Sequence, residues 1–113
     1  MKASSKGIVS ELKAITWFLE QNWEVFHNVK PNGPADFVIW KQGMVCPILV
    51  DVKTVNVYIK ADGSESYVFA GLGNKDWDTA KKNTKDNIHY LGYCPQKDTF
   101  LWFDEDPTES LFV

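Results

Sequence analysis

The sequence predicts a single α/β domain with a central mixed β-sheet flanked by helices. An amphipathic helical repeat near the N-terminus precedes three strand-like segments, and a polar helix-like segment then precedes two more. The chain of 113 residues has room for one core, so residues 1–113 are expected to form one domain. Hydrophobic residues make up 44% of it, which favours a packed globular fold over disorder.

The first predicted helix covers residues 5–22. Apolar side chains recur in it every three or four residues, at Ile8, Leu12, Ile15 and Leu19. This spacing predicts one apolar stripe that faces the core. Glu11 lies between Ile8 and Ile15 at helical spacing, so we expect its carboxylate at the edge of the buried stripe and not on the solvated face.

Three strands are predicted next. Residues 23–28 alternate between apolar and polar side chains, residues 36–40 are largely apolar, and residues 45–58 form a longer strand. A rigid loop at residues 30–34, rich in proline and glycine, separates the first strand from the second. The turn at residues 41–44 contains glycine, so the second and third strands are expected to pair as a hairpin.

The second half of the chain supplies the remaining elements. Residues 66–70 are predicted as a short strand, and a turn at residues 71–74 leads into a second helix at residues 75–84. Residues 87–93 and 99–103 are predicted as the last two strands. This order of one helix, several strands, a helix and two strands is typical of a mixed α/β sheet.

Several classes of protein are disfavoured by the composition. No apolar run approaches membrane-spanning length and no signal-like region follows the N-terminus, so we expect a soluble, cytoplasmic protein without a membrane partner. The two cysteines, Cys46 and Cys94, fit neither a disulfide framework nor a zinc spacing and are expected to be reduced thiols. With only His27 and His89 besides, no zinc cluster is expected.

Two acids and a lysine stand where a buried sheet has no structural need for charge. Asp51 and Lys53 lie inside the apolar run 48–55, which is typical of a buried strand, and side chains two residues apart share a face. Burial of such charges is costly unless they pair or bind a metal. Asp36 opens the hairpin partner strand, directly after the proline-containing loop, so it can approach Asp51.

This set of residues has the chemistry of a metal site. Glu11, Asp36 and Asp51 offer oxygen ligands for Mg²⁺, which keeps several waters and takes only one or two carboxylates directly. A neighbouring lysine such as Lys53 can orient or deprotonate an attacking water and can neutralise charge that builds up on a phosphate. A divalent cation and a lysine together are what phosphodiester hydrolysis needs.

The same residues resemble the motif of the PD-(D/E)XK nuclease superfamily, which has a restriction-endonuclease-like core. Pro34-Ala35-Asp36 is similar to the first half of the motif and Asp51-Val52-Lys53 to the second. Lys6-Gly7 with Glu11 resembles the helical glutamate motif of Holliday-junction resolvases and intron-associated endonucleases in that superfamily. Ala35, which separates Pro34 from Asp36, departs from the pattern.

The resemblance implies a Mg²⁺-dependent DNA endonuclease, junction-resolvase-like or homing-type, with Mn²⁺ as a substitute metal. Asp36 and Asp51 would bind the metal, Glu11 would complete its shell, and Lys53 would be catalytic. Because a core of this size covers little DNA, and nucleases of this type commonly pair to cut two strands, we expect a homodimer or a higher homo-oligomer.

Simpler interpretations stay open for each residue. Asp51 and Lys53 could be an exposed ion pair on an edge strand, and Glu11 could lie on a solvated rim. Lys6 by resemblance, and Lys81 and Lys82 as a small basic face, are candidate contacts to a nucleic-acid backbone. A solvated helix surface is the simpler interpretation of these three lysines. His27 is interpreted as an ordinary strand residue rather than a ligand or base.

The charge distribution leaves a second class of function open. All twelve basic residues are lysines; seven lysines against five acids give +2 over residues 1–60, and five against ten give −5 over residues 61–113. The resulting net charge of −3 counts against nucleic-acid binding, although the candidate site lies in the basic half. A non-catalytic module that binds nucleic acid or protein is therefore the alternative, and RNA is not excluded as a substrate.

Overall fold

The computed structural model describes residues 3–27, 35–69, 87–103 and 105–109, and the side chains from residue 7 onward within these ranges. The predicted loop at residues 30–34 and the predicted second helix at residues 75–84, with Lys81 and Lys82, lie outside the described residues. So does the predicted turn at residues 71–74.

One helix and six strands make up the described part of the chain. In chain order they are α1 (Ala3–Glu20), β1 (Glu24–His27), β2 (Phe37–Trp40), β3 (Ile48–Ile59), β4 (Glu65–Phe69), β5 (Ile88–Cys94) and β6 (Thr99–Trp102). Each of these elements was predicted at its position in the chain, with bounds that differ by a few residues. Within this described part, no helix is both long and apolar enough to cross a membrane.

The strands form one mixed sheet with β3 at its centre. The strand order is β1-β2-β3-β5-β6, and β4 pairs with the second half of β3. Neighbouring strands run antiparallel except β3 and β5, which are parallel, with Val50 beside His89 and Val52 beside Leu91. The predicted α/β fold with a central mixed sheet is confirmed, and so is the hairpin pairing of β2 with β3.

Helix α1 packs on one face of this sheet through a different stripe from the one predicted. Ser10 and Ala14 are small, so the helix backbone approaches β3 closely, and Ser10 Oγ lies 2.8 Å from Thr54 Oγ1 in a hydrogen bond. Phe18 fills the core beyond them, with its ring centroid 5.8 Å from that of Phe37. The core on this side is completed by Trp23, Ile39, Ile48, Val50 and Leu91.

The prediction that Ile8, Leu12, Ile15 and Leu19 form the buried face is therefore wrong. Ile8, Leu12 and Leu19 are 59%, 58% and 54% exposed. Only Ile15 packs partly against the core. The physical reason is close packing. The small residues on the other side of the helix allow the helix backbone to approach the sheet more closely than larger side chains would.

A second, smaller apolar cluster lies on the opposite face of the sheet. It consists of Val55, Phe69, Tyr90 and Cys94, with Val57, Ile88, Leu101 and Phe103 packed against it. Gly92 makes this packing feasible, because a Cβ at that position would lie 2.2 Å from Val55 Cγ2 and 3.0 Å from the Phe69 ring. The long strand β3 thus contributes side chains to both clusters.

Strand β3 begins at Ile48, three residues later than predicted. Pro47 lacks the N–H that a ladder hydrogen bond requires, so it favours a start after itself. Val45, which lies within the connection between β2 and β3, is 97% exposed and takes no part in the core. The connection from β2 to β3 is consequently longer than a two-residue hairpin turn.

Candidate active site

The two faces of β3 have different chemistry. Val50 and Val52 point to the helix side of the sheet and pack in or against the main core. Asp51 and Lys53 alternate with them and therefore point to the opposite face, as the spacing predicted. Asp51 lies beside Tyr90 of β5 in the parallel register, so a central strand carries an acid and an amine in the interior of the sheet rather than at its edge.

Asp36 is fixed to β3 at the point where β2 begins. Its backbone N–H donates to the carbonyl of Val50 at 2.9 Å, which extends the antiparallel ladder by one bond. Its carboxylate Oδ2 accepts a hydrogen bond from the N–H of Val52 at 2.6 Å. This side-chain oxygen takes the position that a backbone carbonyl would occupy in a continued antiparallel ladder. This geometry holds the Asp36 carboxylate next to the strand that carries Asp51.

The Asp51 carboxyl lies in an unusual electrostatic environment. The pKa of this carboxyl is raised from 3.8 to about 6, and burial is the largest cause. The charge of Asp36 and a hydrogen bond with its side chain also raise the pKa, whereas the Lys53 ammonium lowers it. The Asp51 side chain is 18% exposed. A buried carboxyl beside a second carboxyl disfavours two negative charges, and a bound cation would relieve that repulsion.

Lys53 completes this group on the same strand face. Its Nζ lies 3.4 Å from Asp51 Oδ1 and 5.7 Å from the centroid of the Tyr90 ring. The side chain is one-third exposed, so its ammonium is accessible from outside while its stem packs on the sheet. Tyr90 was not singled out in the sequence, because the parallel register that brings it beside Asp51 joins distant segments.

Glu11 makes a different contact from the one predicted for it. Its Oε1 lies 2.8 Å from His27 Nε2, which ties α1 to the edge strand β1. Within the described ranges, no three histidine, cysteine or acidic side chains lie close enough together to hold a metal ion. The structure therefore brings Asp36, Asp51 and Lys53 together and leaves Glu11 paired with His27, so the role of Glu11 in a metal shell stays a prediction.

The structure gives no side-chain geometry for the three lysines that were predicted to contact nucleic acid. Lys6 lies in the first turns of α1, but its side chain is outside the described set, and Lys81 and Lys82 fall in the range that is not described. His27, which the sequence indicated as an ordinary strand residue, is exposed on β1 and is the partner of Glu11.

The donor set of Asp36 and Asp51 fits a small divalent cation. Mg²⁺ takes one or two carboxylates and keeps waters in its other positions, so two neighbouring acids are sufficient protein ligands. Burial, and to a smaller extent the charge of Asp36, raise the pKa of Asp51, and a bound cation would oppose both effects by favouring the ionised carboxylate. Neither cysteine lies in this group, which is in keeping with a hard oxygen site.

Comparison with known proteins finds a similar fold among solved structures. No protein-family model matches the chain, and no curated protein matches its sequence. Among solved structures, the fold is similar to that of a homing endonuclease. That protein is the bacterial homing endonuclease I-Ssp6803I, with a TM-score of 0.62 and 20% sequence identity.

The similarity covers 90% of this chain and 64% of the I-Ssp6803I chain, so this chain spans less than two thirds of its structural neighbour. At this level of identity the likeness establishes the fold and not the activity.

Proposed function

We propose that this protein is a divalent-metal-dependent DNA endonuclease of the PD-(D/E)XK type. The observation that carries the proposal is the close group of Asp36, Asp51 and Lys53 on one face of paired strands, with a carboxyl pKa raised to about 6 at Asp51. The similarity of the fold to a homing endonuclease supports DNA as the substrate. Mg²⁺ is the expected cation, and Mn²⁺ a substitute.

In this mechanism Asp36 and Asp51 hold the cation, which when bound would supply positive charge to the scissile phosphate and make water a better nucleophile. Asp36 is positioned for this by its hydrogen bond from the Val52 N–H, because the bond fixes one carboxylate oxygen and orients the other. The buried location of Asp51 raises its affinity for a cation, since it lacks the hydration that would otherwise stabilise its charge.

Lys53 would act on the reacting phosphate. Its ammonium is held beside Asp51 and is one-third exposed, so it can contact a phosphate oxygen that approaches this face. The phosphorane-like transition state carries more charge than the ground state, so a fixed ammonium stabilises the transition state more.

The competing candidate is a binding module without catalysis. The observation that favours it is the pairing of Glu11 with His27, because the third carboxylate of the predicted metal shell is then engaged elsewhere. The acidic second half of the chain points the same way. Such a module would bind nucleic acid or protein and would leave DNA intact in the presence of Mg²⁺.

The two functions are separated by incubation of the protein with supercoiled plasmid, a linear duplex, a four-way junction, single-stranded DNA and RNA, each with Mg²⁺ and with EDTA. We expect Mg²⁺-dependent cleavage of DNA by the wild type and loss of cleavage in Asp51→Asn. The matched control is Asp62→Asn, an exposed acid in the turn after β3, which should cleave normally. Binding without cleavage in every arm would favour the module, and cleavage of RNA alone would correct the substrate.

A further inference from the structure

The exposed side of α1 carries a second apolar seam that the fold leaves largely uncovered. Three large apolar side chains on it, those of Ile8, Leu12 and Leu19, are more than half exposed, and Val9 beside them is 38% exposed. Of the seam residues, Ile15 packs partly against the main core. The seam borders a groove lined by Leu12, Thr16, Trp17 and Phe100, among others, so the apolar surface continues from the helix onto the end of the sheet.

The spacing of this seam is that of a helix–helix contact. The intervals from Ile8 to Leu12, Ile15 and Leu19 are four, three and four residues, which is the alternation of d and a positions in a heptad repeat. At 1.5 Å per residue the seam is about 16 Å long, too short for an independent coiled coil. It is sufficient for a contact between helices that are already held in folded domains.

The seam is complementary to itself when two copies of α1 run antiparallel. A twofold axis between positions 13 and 14 sets Ile8 opposite Leu19 of the second copy and Leu12 opposite Ile15. Each layer then joins an a position with a d position, as knobs-into-holes packing between antiparallel helices requires. Val9 and Thr16, which flank the seam on the groove side, would also meet across the axis, and neither carries a charge.

Charged residues near the seam do not oppose this arrangement. Glu11, on the other flank, is paired with His27, and Lys13, which lies near the axis, is 3.9 Å from Asp98 of its own chain. Both of these charged side chains therefore already have a partner within their own chain.

We propose that a second copy of this chain docks antiparallel along Ile8, Leu12, Ile15 and Leu19 of α1. Since Asp51 and Lys53 point to the sheet face opposite α1, the pair would carry its two candidate sites on its two outer faces. This consequence rests on the proposed function, whereas the association itself does not. A dimer of this kind would present each site to a separate segment of DNA rather than both sites to one duplex. Because the seam is small, the association is expected to be weak, with a dissociation constant in the micromolar range.

The test is sedimentation equilibrium of the wild type across the micromolar range, without DNA or metal. We expect a monomer–dimer equilibrium that Leu12→Glu weakens by at least about tenfold, because a carboxylate would be buried in the seam. Val45→Glu is the matched control: it places an acid at another exposed apolar position, outside α1, and should associate like the wild type. A wild type that stays monomeric, or equal effects of Leu12→Glu and Val45→Glu, would overturn the proposal.

The orientation is tested by charge pairs. Ile8→Lys and Leu19→Glu should each weaken association, and the double variant should restore it, because each lysine would then face a glutamate of the other copy. In a parallel arrangement the double variant would set like charges opposite each other and stay monomeric, which would refute the antiparallel register. Since neither experiment involves cleavage, a failure here leaves the nuclease proposal intact, and a failure of cleavage leaves the dimer intact.

Discussion

The Lys53 ammonium lies 3.4 Å from the Asp51 carboxylate, on the face of the central strand β3 that points away from α1. A pair in this position is neither at a sheet edge nor fully solvated. The attraction between the two groups offsets only part of the energetic cost of burying the charged Asp51 carboxylate, since the pKa of Asp51 is still raised to about 6. The pair, with Asp36 beside it, is the feature that the following predictions address.

The stability of the metal-free protein should depend on the titration of Asp51. A carboxyl pKa raised from 3.8 to about 6 means that the folded state binds this proton more tightly than the unfolded state. The Asp51 contribution is therefore most favourable below about pH 4 and is lost as the pH rises to about 6. Relative to Asp51→Asn, the free energy of unfolding of the wild type should fall over this interval by up to about 3 kcal/mol.

Denaturant unfolding of both proteins in EDTA at several pH values measures this difference. The asparagine variant does not titrate at this position, so the other carboxyls cancel in the comparison. A difference in stability that stays constant from pH 4 to pH 7 would mean that Asp51 has an ordinary pKa and is better solvated than the structure indicates.

Asp36 should have a structural role and a metal-binding role that two variants separate. Asp36→Ala leaves the Val52 N–H without its acceptor and should cost about 1–3 kcal/mol of stability. Asp36→Asn keeps an oxygen that can accept this bond and should stay close to the wild type. Mg²⁺ or Mn²⁺ should raise the melting temperature of the wild type and barely affect either variant. Equal increases in all three proteins would place the cation elsewhere.

Glu11 should affect activity more than stability. Glu11→Gln keeps the shape of the side chain and can still hydrogen-bond His27, and the original pair is solvent-exposed, so the loss of stability should be under about 1 kcal/mol. If Glu11 turns to a bound cation, as the resemblance implies, cleavage should fall sharply in this variant. His27→Ala is the control, because it removes the partner and keeps the carboxylate. Equal loss of activity in both variants would make the hydrogen bond between Glu11 and His27, and not the carboxylate alone, the functional element.

Gly92 should resist substitution. A Cβ at this position would overlap Val55 Cγ2 at 2.2 Å, so Gly92→Ala must displace Val55 or Phe69 within the second apolar cluster. Overpacking of this kind typically costs about 1–3 kcal/mol, measurable as a lower midpoint of thermal or denaturant unfolding. Gly63→Ser, at an exposed turn with open space around it, tests glycine loss without overpacking, although its positive φ of 86° adds backbone strain. A Gly92→Ala variant as stable as the wild type would contradict the close packing described for β5.

The candidate site could be predicted because its residues are close together in sequence. Asp51 and Lys53 lie on one strand, and Asp36 belongs to the hairpin partner, so alternation and a turn are sufficient to bring them together. Tyr90 and Gly92 belong to the same surroundings but arrive through the parallel pairing of β3 with β5. Register between distant segments is set by packing of the whole sheet, which a single sequence does not disclose.

The buried face of α1, by contrast, was not predicted correctly from the sequence. Ile8, Leu12, Ile15 and Leu19 give the stronger periodic signal, yet the sheet packs against Ser10, Ala14 and Phe18. Periodicity finds an apolar stripe and does not say which of two partners will cover it. A helix whose small residues allow close approach to the sheet can keep its larger apolar residues for another surface, as we infer for self-association.

The most direct test of the account compares binding and cleavage in Lys53→Ala on one DNA substrate. Binding is measured with Ca²⁺ and single-turnover cleavage with Mg²⁺, with Lys60→Ala, at the exposed end of β3, as the control. Because affinity for DNA comes from many backbone contacts, Lys53→Ala should bind within about tenfold of the wild type, or roughly 1.4 kcal/mol. Its cleavage rate should fall by a factor on the order of a hundred or more. Full cleavage by Lys53→Ala, or a loss of binding as large as the loss of rate, would contradict the catalytic role proposed for this site.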